Sequence, residues 1–542
     1  MNIFSRYFGG LLVLLVLLVS CTKDFEEINT DPYGFTTASE GALFNGIVES
    51  LLPSGNEQMY INNEILYPQT QQAALTNQAW GNFTLGTESM WTDYYKVMPS
   101  VRELERRFEK MPPSGELTNM KAMLKILVAY KTFKLTDMFG DIPFSEAGYG
   151  FQDLEALRPA FDSQESIYKT LLNDLKWCDE NISDTTVSEE PYLTFSGFDR
   201  LFEGDILKWQ KLANSLRLRY AMRMSAKEPE LAAQIILEIV ENQRPVFVGY
   251  SLVGYVGESA CLWPANMGFR NLNTEWAFRE HKNIRMGTNI WRQLSQHDSI
   301  DGTGIFDPRA YIFFEGNNVQ NWVPFPQIPE QSTPSSGGIP YGSQRDNAGG
   351  FDVKGETCIY SPVNYFQIRD SDFMPIPMIT GAEVHFIIAE AYFKGIGLPL
   401  DPMLADIEYM NGINSSVDWW METASKSKLP SSGLAFPDKV EIPPHLNPSS
   451  VLMVFGSWNF ISDEEKLRNI YTQRWLDAFR QPWEAYSLIR RTGMTPREGE
   501  AINHFRLPYP PSEVEFNTDN WSSALSNQGG GDTPEFKFWW IP

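Results

Sequence analysis

Cysteine and histidine are scarce, with four and five residues in a chain of 542. Cys21, Cys178, Cys261 and Cys358 include no C-x-x-C spacing, so the sequence specifies neither a disulfide framework nor a thiolate zinc site. His281, His297, His385, His445 and His504 are scattered, with no i,i+4 pair, which removes the usual basis for a histidine-ligated metal. Basic charge is in deficit: 44 Lys and Arg stand against 68 Asp and Glu, a net of −24. That balance excludes a nucleic-acid partner, whose phosphates require basic side chains, and does not suit an anionic lipid surface. Also missing are a P-loop, a G-x-G-x-x-G turn behind a strand and a G-x-S-x-G elbow. No long alternating strand pattern is present, and there is no clean repeat of about 34 residues.

Long apolar runs are short of what a membrane demands. The stretch Leu11–Val19 falls well below the ~20 residues that span a bilayer. With Arg6 before it and small Ser20 after it, the run has the layout of a secretory signal. Leu18-Val19-Ser20-Cys21 resembles a bacterial lipobox, in which Cys21 becomes the lipidated first residue of the mature chain; the alternative is an ordinary signal with an incidental cysteine. Lipidation ties a protein to a membrane at ~0.8 kcal/mol per buried CH₂. Residues 1–20 are therefore expected to be a signal peptide. Residues 21–39, polar with Asp31-Pro32 and Gly34, read as a tether, and 40–542 as a single domain.

What is abundant is helical periodicity. Met120, Met123, Leu124, Leu127 and Val128 in NMKAMLKILVAY recur at the 3.6-residue period. So do Ile206, Trp209, Ala213, Leu216 and Tyr220 in DILKWQKLANSLRLRYAMR, and Ala382, His385, Phe386, Ala389 and Phe393 in GAEVHFIIAEAYFKG. Gly395 is placed to cap the last of these. Pro482 divides EEKLRNIYTQRWLDAF from WEAYSLIRR and suits the first turn of the second helix. The expected fold is mostly α. Arg219 and Arg223, i,i+4 on one helix, predict buried pairing with carboxylates, and Glu383 and Glu390 invite Arg217, Arg474 or Arg490 as partners.

Catalytic candidates are few. Asp137 and Asp141 in LTDMFGDIPFSEA are the most tempting glycosidase pair, but they sit at a helix end where aspartates have ordinary turn roles. HDSIDGTGIFD, His297 to Asp307, offers oxygen ligands for calcium, yet it would place His297 where an EF-hand loop opens with Asp, and it reads as an acidic turn. Aromatics, by contrast, reach 13%, with 16 tryptophans. Trp91, Trp209, Trp475 and Trp483 fall in helical segments and are expected in the core. The proline- and glycine-rich excursion at about 315–377 carries too many aromatics for a disordered linker. A sugar ring needs an aromatic face with polar side chains at its edge. NQAWGNFTLG offers Trp80 beside Asn82, and NNVQNWVPFPQ offers Trp322 beside Asn321, Gln320 and Gln327. Tyr341 and Arg345 are further rim candidates. Charged residues such as Arg270 or Arg345 would instead suit a peptide.

Six segments in order carry a family resemblance. KLTDMFGDIPFSEA, GDILKWQKLANSLRLRYAMRMS, EVHFIIAEAYFKG, WEAYSLIRRTGMTP, RLPYPPSEVEFN and GGGDTPEFKFWW resemble the SusD/RagB-like nutrient-binding outer-membrane lipoproteins. Phe144 stands where that family usually has Tyr, and Tyr486 where Trp is common. The resemblance implies tetratricopeptide-like helix pairs with loop excursions forming the ligand surface, no catalysis and no cofactor. It also implies a SusC-like TonB-dependent transporter as partner, to which oligosaccharide or, alternatively, oligopeptide is handed. The acids Asp24, Glu26 and Glu27 after Cys21 are similar to surface-export signals of Bacteroidetes lipoproteins.

Overall fold

The computed structural model describes residues 38–76, 83–150, 154–184, 197–248, 256–263, 276–278, 283–297, 299–334, 337–338, 358–364, 367, 375–427, 440–456 and 458–542. The chain is mostly helical. Among the described residues the α-helices of five residues or more begin with α1 (Glu40–Glu49), α2 (Phe83–Tyr95), α3 (Met98–Phe108), α4 (Gly115–Phe139), α5 (Gln164–Asn181), α6 (Ile206–Met224) and α7 (Pro229–Glu241). After these come α8 (Thr288–Leu294), α9 (Arg309–Phe313), α10 (Gly381–Lys394), α11 (Pro402–Ser425), α12 (Pro448–Phe455), α13 (Asp463–Asp477), α14 (Pro482–Thr492), α15 (Pro511–Phe516) and α16 (Thr518–Gln528). Local chemistry sets their ends. Ser39, Ser114, Ser163 and Asp205 each accept a backbone N–H of the helix they precede, relieving one of its orphan donors. Ser462 and Glu465 form a reciprocal capping box at α13. Pro482 opens α14, and Gly395 ends α10 in the left-handed conformation at φ +68°.

Successive helices stack: α4 on α5, α5 on α6, α6 on α7, and α10 on both α11 and α13. The single apolar stripe read from sequence on α4, α6 and α10 understates their burial. Every residue of α10 from Gly381 to Ala391 is buried, as is every residue of α6 from Leu212 to Met224. A helix buried all round must satisfy its polar residues internally, and here it does so with ion pairs. Two apolar clusters flank α10. Val384 and Ile387 face the one built on α4 to α7, and Ala382, Phe386 and Ala389 face the one built on α11 and α13. Trp91, Trp209 and Trp483 lie in the first and Trp475 in the second. Strands are vestigial: β1 (Ala74–Leu75) pairs antiparallel with β3 (Ile284–Arg285), and β2 (Ser259–Leu262) with β4 (Ile376–Thr380).

A buried charge network crosses the helix stack. Arg219 donates through Nε to Glu383 at 2.8 Å and also to the Met378 carbonyl at 2.7 Å. Arg474 reaches the same carboxylate at 2.7 Å. Arg223 bridges Asp137 of α4 and Glu484 of α14, and Asp137 further accepts from the Tyr168 hydroxyl at 2.5 Å and the Trp540 indole at 2.9 Å. The pairing expected for Arg219 and Arg223 is therefore present. Glu390 departs from its expected partners: Arg491 holds it with two hydrogen bonds, 2.7 and 2.6 Å, joined by Tyr471. Arg217 turns instead to Glu238 and Asp179, and Arg490 to the Asp137 and Phe505 carbonyls. The α14 register decides this. Residues 490 and 491 lie about 100° apart around a helix, and only Arg491 faces α10 and α13.

Glu383 and Glu390 make the fold acid-sensitive, whereas burial raises the Asp137 carboxyl of the same network and works the other way. Burial alone raises the Glu383 carboxyl, but Arg219 and Arg474 outweigh it and hold it at about 2. Glu390 is likewise held well below its ordinary 4.5 by Arg491, against the opposing effect of burial. A depressed carboxylate stabilises the fold above its unfolded value, and that stability is lost as pH falls toward the folded value. Asp477 has the opposite sign: burial lifts it to about 6, so it favours the folded chain as it takes up a proton between pH 7 and 5. Calorimetric melting is thus expected to hold or rise slightly from pH 7 to 5 and to fall steeply below about 4.5. Glu390→Gln should melt lower at pH 7 and show a shallower acid slope. An unchanged slope contradicts the assignment.

Candidate functional site

The short β1–β3 pair is the root of three loops. β1 runs directly into residues 77–82, and the Thr76 amide bonds to the Asn283 carbonyl at 2.9 Å beside β3. Gly287, just past β3, bridges in parallel to Phe325, and Arg285 bridges to Pro362. Gln327 donates to the Ala73 carbonyl at 3.3 Å, while Ala74, Phe325 and Tyr360 form a small apolar cluster of their own. A bridge between Gly338 and Cys358 closes the base of the stretch 339–357. Arg285 is fully buried and donates to the Gly337 and Gly338 carbonyls at 3.2 and 3.0 Å, tying that base to β3. The described residues that flank 77–82 and 339–357 thus meet the Trp322 segment at one place.

Within the second loop, Asn317 organises the turn. Its side-chain oxygen accepts from the Val319 and Asn321 amides, both at 3.0 Å, and its amide nitrogen donates to the Ile359 carbonyl at 2.9 Å. The turn presents Asn318, Val319 and Gln320 to solvent. Trp322 is only 6% exposed. Its ring stacks on Trp291 at 6.0 Å and meets Tyr311 edge-on at 5.0 Å, so it supports the loop from beneath, where sequence spacing suggests an open platform. Tyr311 in turn lines a cleft of about 710 Å³ with Met421, Ile442 and Pro444, within the ~300–1,000 Å³ usual for ligand sites. Trp80 and Asn82, Tyr341 and Arg345, Arg270 and the lipobox Cys21 lie outside the described residues. Arg285 and Asn317 escape a sequence reading because their partners are backbone carbonyls and amides. The Gly-Asn-Asn at 316–318, a turn-forming run, is the one local signal.

The catalytic candidates are spent structurally. Asp137 is buried in the arginine network. Asp141 accepts the Gln164 amide at 2.8 Å, at the start of α5. In the His297–Asp307 stretch, Asp301 closes its own turn on Thr303, and Asp307 is fully buried against Arg309. Among the described residues, no group of three or more His, Cys, Asp or Glu is placed to hold a metal. None of the described helices is long and apolar enough to cross a membrane.

The described fold is a stack of helix pairs with chain segments rooted on the short β1–β3 pair. Residues 32–509 match the family model SusD-like, described as starch-binding and associating with the outer membrane, and the chain belongs to that family. Its members are glycan-binding proteins of the outer membrane. Among solved structures, a chitin-binding protein superposes with TM-score 0.66 at 19% identity, over 93% of this chain and 100% of its own. A SusD-like protein from Bacteroides thetaiotaomicron does so at 0.65 and 20%, covering 93% and 98%. A SusD homologue from Bacteroides vulgatus gives 0.62 and 20%, covering 89% and 92%. At these identities the likeness establishes the fold. No curated protein matches the sequence.

Proposed function

We propose that this protein captures oligosaccharide at the outer cell surface and hands it, chemically unchanged, to a SusC-like TonB-dependent transporter. The observation that carries the reading is that the described residues flanking 77–82 and 339–357 meet the Trp322 segment on the β1–β3 root and Arg285. In it, Trp80 supplies the stacking face and Asn82, Tyr341 and Arg345 the polar rim. Trp322 supports its own loop against Trp291 and Tyr311. The family's description as starch-binding supports a glycan over a peptide, and the absorbed carboxylates Asp137 and Asp141 support binding without hydrolysis. Calorimetry against a panel of oligosaccharides and oligopeptides tests the choice: binding confined to peptides overturns it in favour of an oligopeptide lid.

Residues 1–20 act in this reading as an export signal, Cys21 as the lipid attachment point and 21–39 as a tether to the domain at 40–542, whose first described helix is capped by Ser39. Cys21→Ala is expected to move the protein out of the membrane fraction in cells lacking the transporter. A variant that still pellets with outer membranes in detergent-free buffer contradicts the anchor.

A further inference from the structure

Among the described tryptophans Trp276 alone is exposed, with 43% of its surface in contact with water. Its backbone is nevertheless held through the next two residues. Ala277 is fully buried in a small cluster with Met59 and Tyr60, which belong to the π-helical stretch Glu57–Leu66. Phe278 is 5% exposed, and its ring meets that of Tyr67 at 6.4 Å. Tyr67 is fixed in turn by its hydroxyl, which donates to the Phe479 carbonyl at 2.9 Å. An indole in water gives up the gain that burial would bring, and here two anchored neighbours keep it outside the core.

The same contacts tie its segment to the two described ends of 77–82. Tyr60, which packs on Ala277, also abuts the first turn of α2, so that a Cβ added at Gly86 would stand 3.0 Å from the Tyr60 Cβ. The chain that carries Trp276 then runs on to Asn283, whose carbonyl accepts the Thr76 amide at 2.9 Å, immediately before residue 77. Thr76 and the start of α2 therefore both border the chain between Ala277 and Asn283. A flat apolar ring standing in water next to them has the form that stacks on the C–H face of a sugar.

We infer that the Trp276 indole is a further stacking face for the oligosaccharide, held out from the fold by Ala277 and Phe278. The inference rests on the glycan reading above and deepens it by naming a residue that touches the ligand. The test combines calorimetry with acrylamide quenching of tryptophan fluorescence, on the full chain with maltohexaose, chitohexaose, mannohexaose and galactohexaose. Trp276→Ala is expected to weaken about tenfold the binding of whichever of the four the wild type takes up, with the melting temperature unchanged. Trp276→Phe, which keeps a ring, should recover part of the loss. Saturating sugar should shield the wild-type protein from acrylamide more than it shields Trp276→Phe, because the covered indole is gone from the variant. Equal affinity in wild type and Trp276→Ala, or equal shielding in wild type and Trp276→Phe, overturns the inference and leaves the glycan reading standing. A wild type that binds none of the four sugars overturns both. Loss in Trp276→Ala with Trp80→Ala silent supports the inference and takes Trp80 out of the site.

Discussion

Arg223→Ala is expected to remove ~3–5 kcal/mol of folding stability, a large share of the ~5–15 kcal/mol a typical domain has in total. The magnitude follows from what the truncation leaves behind. Arg223 is 4% exposed, is the ion-pair partner of buried Asp137, and shares buried Glu484 with Arg219, which stands farther off at 3.5 Å. Those carboxylates sit on α4 and α14, and Asp137 also anchors Trp540, so the loss loosens three parts of the chain together. The control is Arg292→Ala, whose side chain is 61% exposed beside Glu498. Exposed pairs of that kind are worth under ~1 kcal/mol. Urea unfolding followed by circular dichroism measures both variants, and equal midpoints contradict the network's assigned role.

Trp80→Ala is expected to weaken oligosaccharide binding about thirtyfold, the equivalent of ~2 kcal/mol for a stacking anchor, with the melting temperature unchanged. Trp322→Ala should behave differently. Its ring lies on Trp291 and against Tyr311, so truncation opens a cavity in the core and costs ~3–5 kcal/mol of stability, with affinity falling as a consequence of the loosened loop. The ratio of the two effects in each variant separates a binding residue from one that supports it. Equal affinity in wild type and Trp80→Ala removes Trp80 from the site.

Much of the helical framework is legible from periodicity and punctuation, because Pro482, Gly395 and the serine caps act through local geometry. Burial on the remaining faces of α6 and α10 is not, since it depends on helices distant in sequence. The partner of Arg219, for instance, is Glu383, 164 positions away. The same distance hides the choice of Arg491 over Arg490 for Glu390 and the burial of Trp419, Trp420 and Trp540. Trp322 shows the limit for the site. Flanking amides and prolines mark a loop, yet the ring faces inward because α8 and α9 supply Trp291 and Tyr311. Residues that root the loops through backbone contacts, Arg285 and Asn317, leave almost no trace in a linear reading.

Capture without conversion is tested by binding and product analysis on the same sample. Purified protein is titrated with the oligosaccharide panel in a calorimeter, and the ligand recovered after a day is analysed by mass spectrometry. Saturable heat for at least one oligosaccharide and a recovered ligand of unchanged mass are expected. No binding to any glycan in the panel, or shortened products that disappear in an Asp137→Asn variant shown to be folded, would contradict it.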